Sequence, residues 1–159
     1  MKILYAFQGT GNGHMARAQE IVPLLKKYGV VETFISGHQS QLKADFPLTY
    51  QHKGISLLYN KSGGISYSKI LFENNYFEAL KTIYSLDLSG YDLIINDYEP
   101  LTGWTCKLKE IPFLELSHQA SMSFNETPKP TVKDFFGEQI LKYYVPSIHK
   151  IGFHFESYH

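Results

Sequence analysis

Apolar and polar positions fall in blocks along this chain. The first, Lys2–Phe7, is almost continuously apolar and predicts a short strand buried on both faces. A glycine-rich turn, Gly9-Thr10-Gly11-Asn12-Gly13, follows. From Gly13 to about Tyr28 the apolar residues Ala18, Ile21, Val22 and Leu25 recur at helical spacing. Lys26 and Lys27 suit the negative end of that helix, Gly29 would terminate it, and Pro23 predicts a kink. Val30–Ser36 reads as a second strand and Gly37–Asp45 as a polar helix or loop, with short strand candidates at Leu48–Tyr50 and Ile55–Tyr59. Asn60–Ser66 is a loop by composition. Tyr67 to about Leu86 has a helical period.

The same alternation continues to the end. Tyr91–Asn96 is a third buried strand, running into Asp97-Tyr98-Glu99-Pro100. Pro100 suits the first turn of a helix to about Lys109. Ile111–Leu116 is a strand ending in Ser117-His118-Gln119, Ala120–Pro130 a polar loop, Thr131–Val145 a helix and Lys150–Glu156 a last short strand. Strands that alternate with helices predict a three-layer α/β/α, Rossmann-like domain. Its sheet should be mainly parallel, with right-handed crossovers covering both faces. The 159 residues suit a single domain, and no repeat or low-complexity linker interrupts them. In such sheets a ligand sits beyond the carboxyl ends of the strands.

Composition narrows the function classes. Net charge is zero, which argues against a nucleic-acid surface. A lone cysteine, Cys106, excludes an intrachain disulfide. The first apolar run is too short for a signal peptide, and no run approaches the ~18 residues of a membrane span. A cytoplasmic protein is the expectation. Arg17 is the only arginine and follows the glycine turn by one helical turn.

The chemistry-bearing residues gather at predicted strand ends. Glycines feeding a helix start present backbone N–H groups to an anion and admit a ligand close to the backbone. They would equally serve a tight turn alone. A nicotinamide fingerprint would need glycine at position 14, where His14 stands, and a phosphate loop with Gly-Lys-Ser/Thr is absent. His14, near the positive end of its helix, could act as a neutral base on an alcohol, or could cap and pack. Arg17 could pair with an anion or a carboxylate, or be solvated. Asp97 or Glu99 could orient the imidazole, or cap the helix at Pro100. Ser117, His118 and Gln119 would line the same crevice. The histidines lack metal-ligand spacing, and no hydrolase elbow appears, so no metal is expected. Tyr67, Phe72, Tyr76 and Phe77 could form an apolar acceptor-facing surface or belong to a buried helix.

The stretch Gly9-Thr10-Gly11-Asn12-Gly13-His14-Met15-Ala16-Arg17-Ala18, directly after an N-terminal strand, resembles the opening of GT-B glycosyltransferases. It is similar to the branch that holds the muramyl-lipid N-acetylglucosaminyltransferase. The YDLIINDYEP and IPFLELSHQ segments resemble the matching strand ends of bacterial and archaeal glycosyltransferase-like proteins. The resemblance implies an acceptor-binding N-terminal domain of an inverting, metal-independent, nucleotide-sugar-dependent enzyme. His14 would be the general base and Asp97 its supporting acid, with Glu99 second. Gly9, Thr10, Gly11, Asn12, Gly13, Arg17, Glu99, Ser117, His118 and Gln119 would contact substrate. No cofactor is implied beyond the nucleotide-sugar co-substrate.

The implied partners are a C-terminal donor domain, in cis or as a separate subunit, a sugar or lipid-linked acceptor, and a peripheral membrane contact. Residues 1–159 would form the N-terminal domain alone, inactive by itself, and a fragment is favoured over a natural half-enzyme. Two other readings stay open: a non-catalytic glycan- or nucleotide-binding module of this fold, and a flavodoxin-like domain for a phosphorylated ligand.

Overall fold

The computed structural model describes residues 1–37, 40–60, 64–128 and 134–154. Its strands are β1 (Lys2–Gln8), β2 (Val30–Ser36), β3 (Tyr50–His52), β4 (Leu93–Asp97), β5 (Leu114–Ser117) and β6 (His149–Gly152). Its helices are α1 (Asn12–Leu25), α2 (Tyr67–Glu73), α3 (Tyr76–Ser85), α4 (Pro100–Leu108), α5 (His118–Ser121) and α6 (Phe135–Tyr143). The strands form one sheet in the order β3-β2-β1-β4-β5-β6, and every neighbouring pair is parallel. The chain is therefore a Rossmann-like α/β domain. The order reverses at β1, which lies between β2 and β4, and a ligand crevice forms at such a point.

Parallel strands need cover on both faces, and β1 shows the consequence. Tyr5 and Phe7 join the core under α1, with Met15, Ala18, Val22, Ile35, Phe46 and Ile95. Leu4 and Ala6 join the opposite core, with Phe34, Ala79, Ile83, Ile94, Leu101 and Val145. Each such large side chain contributes roughly 1.5–3 kcal/mol when fully buried. Three short polar features finish the frame. Asn75 caps α3, Asp134 caps α6 and Ser117 caps α5, each accepting from a backbone N–H of the first turn.

Several predicted elements change shape. Leu48–Tyr50 and Ile55–Tyr59 do not form the expected strands. β3 lies at Tyr50–His52, and the second stretch contributes only an isolated antiparallel bridge, Tyr59 to Ile65. The helix expected from Tyr67 to Leu86 is two helices. Asn74 hydrogen bonds to Ile70 and Ser56 and Asn75 starts the next cap, so side-chain amides displace the helical ladder between them. The outer rings of this segment are not buried: Phe72 and Phe77 are 81% and 79% exposed, while Ala79 and Ile83 face the core. Pro23 falls in the last turn of α1, which ends two residues later at Leu25. Parts of the predicted Gly37–Asp45, Asn60–Ser66, Ala120–Pro130, Thr131–Val145 and Lys150–Glu156 segments lie outside the described residues. No helix among the described residues is long and apolar enough to cross a membrane.

Candidate functional site

The site is built where β1 and β4 lie side by side. Their register sets Phe7 opposite Asp97, so the strands end at one level. After Gln8 the chain turns through Gly9, Thr10 and Gly11 into α1. Gly11 has φ of 85°, in the left-handed region that favours glycine, and a Cβ there would stand in open space. Gly9 is glycine for a different reason. A Cβ there would lie 2.4 Å from the carbonyl oxygen of Gly37, so the ends of β1 and β2 close on each other at this position. Gly9 also lines a small pocket with Met15, Gly37, Ser40 and His52.

His14 and Arg17 lie one turn apart on α1 and point the same way. Both reach Asp97. His14 Nδ1 is 2.9 Å from Asp97 Oδ1. Arg17 grips the same carboxylate side-on, Nε to Oδ2 at 2.9 Å and Nη2 to Oδ1 at 2.8 Å. Asp97 is fully buried and His14 is 7% exposed. Such a charge-assisted, forked pair holds a carboxylate in one orientation. Nη2 also lies 2.8 Å from His14 Nδ1. Nδ1 thus faces an acceptor, Asp97 Oδ1, and a donor, Arg17 Nη2–H, at once: a hydrogen on Nδ1 satisfies the first and a lone pair there the second. Nε2 has no hydrogen-bond partner among the described residues. The imidazole stacks parallel to Tyr98 with centroids 6.5 Å apart, and Tyr98 packs at 4.8 Å on Tyr144.

Glu99, two residues on, does something else. It is fully buried and caps α4, accepting from the backbone N–H groups of Leu101 and Thr102 and from the hydroxyls of Ser36 and Thr102. Burial pushes its carboxyl upward and those four donors pull it back down. Both its oxygens are thus occupied inside the fold. Ser117 is likewise buried, accepting from Ala120 N and donating to Glu115. Glu115 lies beside Lys150 at 3.2 Å. Ser117 thus ties the start of α5 to Glu115.

The remaining predicted residues divide. Asn12 Oδ1 accepts from Gln41 N, tying the glycine turn to the following loop. Thr10 is buried, and its hydroxyl has no partner. A Cβ at Gly13 would meet only the tip of Arg17, at 3.9 Å. His118 Nδ1 lies 2.8 Å from the Phe153 carbonyl. Gln119 lines a cleft of about 1200 Å³ together with Leu57, Tyr98, Trp104, Ile140 and Pro146. Sequence reasoning missed this cleft, Tyr98 and Tyr144. Its walls come from four separated segments, and only the aromatic content of those segments hinted at it. Cys106 is inert, since burial pushes its thiol up to about 12. Among the described residues no three His, Cys, Asp or Glu side chains cluster as metal ligands.

The chain matches the family model of glycosyl transferase family 1 over residues 1–151. No curated protein matches it. Among solved structures it is similar to the crystal structure of Acinetobacter baumannii MurG, with 12% identity and a TM-score of 0.47. The match covers 90% of this chain and 39% of that one, so the chain spans about two fifths of the MurG chain.

Proposed function

The chain belongs to glycosyl transferase family 1, and from that premise we propose that it is the acceptor-binding half of an inverting, nucleotide-sugar-dependent glycosyltransferase. His14 Nε2 takes the proton from the acceptor hydroxyl. The freed oxygen attacks the anomeric carbon, the bond from that carbon to the nucleotide phosphate breaks, and the nucleoside diphosphate leaves. Inversion follows from this single displacement. Asp97, through Nδ1–H, stabilises the imidazolium as it forms.

The observation that carries this reading is the Nδ1–Asp97 contact of 2.9 Å with Nε2 left unpartnered. The cleft beside Tyr98, apolar over most of its wall, suits the body of a sugar or lipid-linked acceptor. The aromatic rings on α2, α3 and α6 suit contact with a membrane surface. A donor-binding domain, in cis or as a separate subunit, completes the enzyme, and this half alone turns nothing over. A cytoplasmic location fits a nucleotide-sugar donor.

The test is His14→Ala in the complete enzyme. Sugar transfer should fall by about 10²–10⁴-fold, the range that positioned acid–base catalysis supplies. Circular dichroism and melting should stay close to wild type. Undiminished transfer would remove His14 as the base and leave a binding module.

A further inference from the structure

We infer that the inner wall of the large cleft holds a subsite for an uncharged, hydroxyl-bearing ring of the acceptor, with Lys150 as its central donor. The inference rests on the reading of this domain as an acceptor-binding half, and it names what the cleft takes. It adds Lys150 and Ser123 to the residues that contact substrate.

The sheet brings the groups together. Lys150 on β6 is the register partner of Glu115 on β5, and register partners project to the same face. Lys150 Nζ stands 3.2 Å from Glu115 Oε2 and donates to Ser123 Oγ at 3.2 Å. An ammonium carries three N–H donors. At least one of them has no acceptor among the described residues, and Lys150 and Ser123 both line the cleft. Gln119 lines it too, from α5, and its Oε1 is buried without a hydrogen bond. A buried acceptor without a donor is unfavourable. The terminal torsion of a glutamine is soft, which lets the amide turn toward a ligand.

The charges around the cleft select the ligand class. Lys107, Lys142, Asp134 and Glu138 line it and are exposed, whereas Lys150 is part-buried. The charge of Lys150 is met from behind by the buried Glu115. A phosphate or carboxylate at Lys150 would face that carboxylate and be repelled. A hydroxyl accepts from the ammonium and donates to an amide or serine oxygen, so it matches the whole set. Tyr98 and Trp104 give flat apolar walls for a ring. Tyr98 also stacks on the His14 imidazole. Burial first, and Glu115 second, push the Tyr98 hydroxyl upward. Tyr98 thus borders both the subsite and His14.

Trp104 is the only tryptophan of the 159 residues, so its fluorescence reads occupancy of the cleft without sugar transfer. The probes are octyl β-glucoside, octyl phosphate and octanol, each below any micelle-forming concentration: one tail with three heads. The glucoside should bind saturably and about tenfold tighter than either of the others. Lys150→Met should lower glucoside affinity about tenfold, the effect of one charge-assisted hydrogen bond, and leave octanol binding unchanged. Glu115→Gln removes the charge that balances the lysine and should turn the preference toward octyl phosphate.

Equal binding of glucoside and octanol overturns the inference. Tighter binding of octyl phosphate by wild type also overturns it and makes this wall an anion site. A glucoside preference kept in Lys150→Met does the same. Should that variant not fold, an unchanged head preference in Glu115→Gln decides against the subsite equally. None of these readouts passes through His14. A failed subsite therefore leaves the base reading standing, and undiminished transfer in His14→Ala leaves the subsite standing.

Discussion

The surroundings of Asp97 and Glu99 make an instructive pair. Both carboxylates leave the carboxyl end of β4, two residues apart, and both are fully buried. Asp97 meets a guanidinium and an imidazole. Glu99 meets two backbone N–H groups and two hydroxyls, all neutral. The first set contains an imidazole, a group that can change protonation near neutral pH. The second set binds two strand ends to a helix start and contains nothing that could exchange a proton with a ligand. Burial and hydrogen bonding alone thus do not mark a reactive carboxylate, whereas the identity of the donors does.

The largest effect should come from the neutral pocket. Glu99→Ala leaves two backbone donors and two hydroxyls without their acceptor inside the fold, and should cost about 3–5 kcal/mol in urea unfolding. Glu99→Gln is milder and separates charge from shape. Burial raises the Glu99 carboxyl above 4.5 in the folded chain, so the folded state holds its proton more tightly than the unfolded state. The stability this gives is fully present below 4.5 and is lost as pH rises through the folded value. The unfolding free energy of Glu99→Gln relative to wild type should therefore improve on going from pH 4.5 to 7. A constant difference would mean that the four donors cancel the burial.

Asp97→Asn comes next. It keeps the shape and an acceptor oxygen, so it should cost about 1–3 kcal/mol in the same unfolding experiment. Sugar transfer by the complete enzyme should nonetheless drop about 10²-fold, as for a weakened proton relay. If Asp97→Asn were the more destabilising variant and kept its transfer, the contrast between the pockets would be reversed. The smallest effect should be Phe77→Ser. With the ring 79% exposed, stability should move by no more than about 0.5 kcal/mol. The Michaelis constant for an apolar acceptor or vesicle-borne acceptor should rise, and unchanged kinetics would separate this surface from acceptor binding.

Much of this frame was legible because it rests on apolar runs. β2 falls at the predicted Val30–Ser36, and β1 extends its prediction by one residue. The convergence of residues 14 and 17 follows from helical spacing, and the proximity of 97 from a strand beside the first. The cap at Glu99 was one of the readings the sequence allowed, but its link to Ser36 and the role of Ser117 were not legible. Both look like crevice residues in a sequence, and only the position of distant donors such as Ser36 turns them inward. The close approach of Gly9 to Gly37 was hidden for a similar reason, since Gly37 follows another strand. The break at Asn74-Asn75 was written in the sequence as two adjacent helix-capping residues, but the apolar period across them outweighed it.

Tyr98 stands between the two carboxylates with φ of 59°, a left-handed backbone unusual for a residue with a bulky side chain. That one reversed residue separates the two acids, delivering the first to α1 and the second to the start of α4. Anyone transplanting this dyad into another parallel sheet would have to carry the bend as well as the side chains. An otherwise perfect copy with an ordinary extended residue at 98 would aim both acids along the wrong axes.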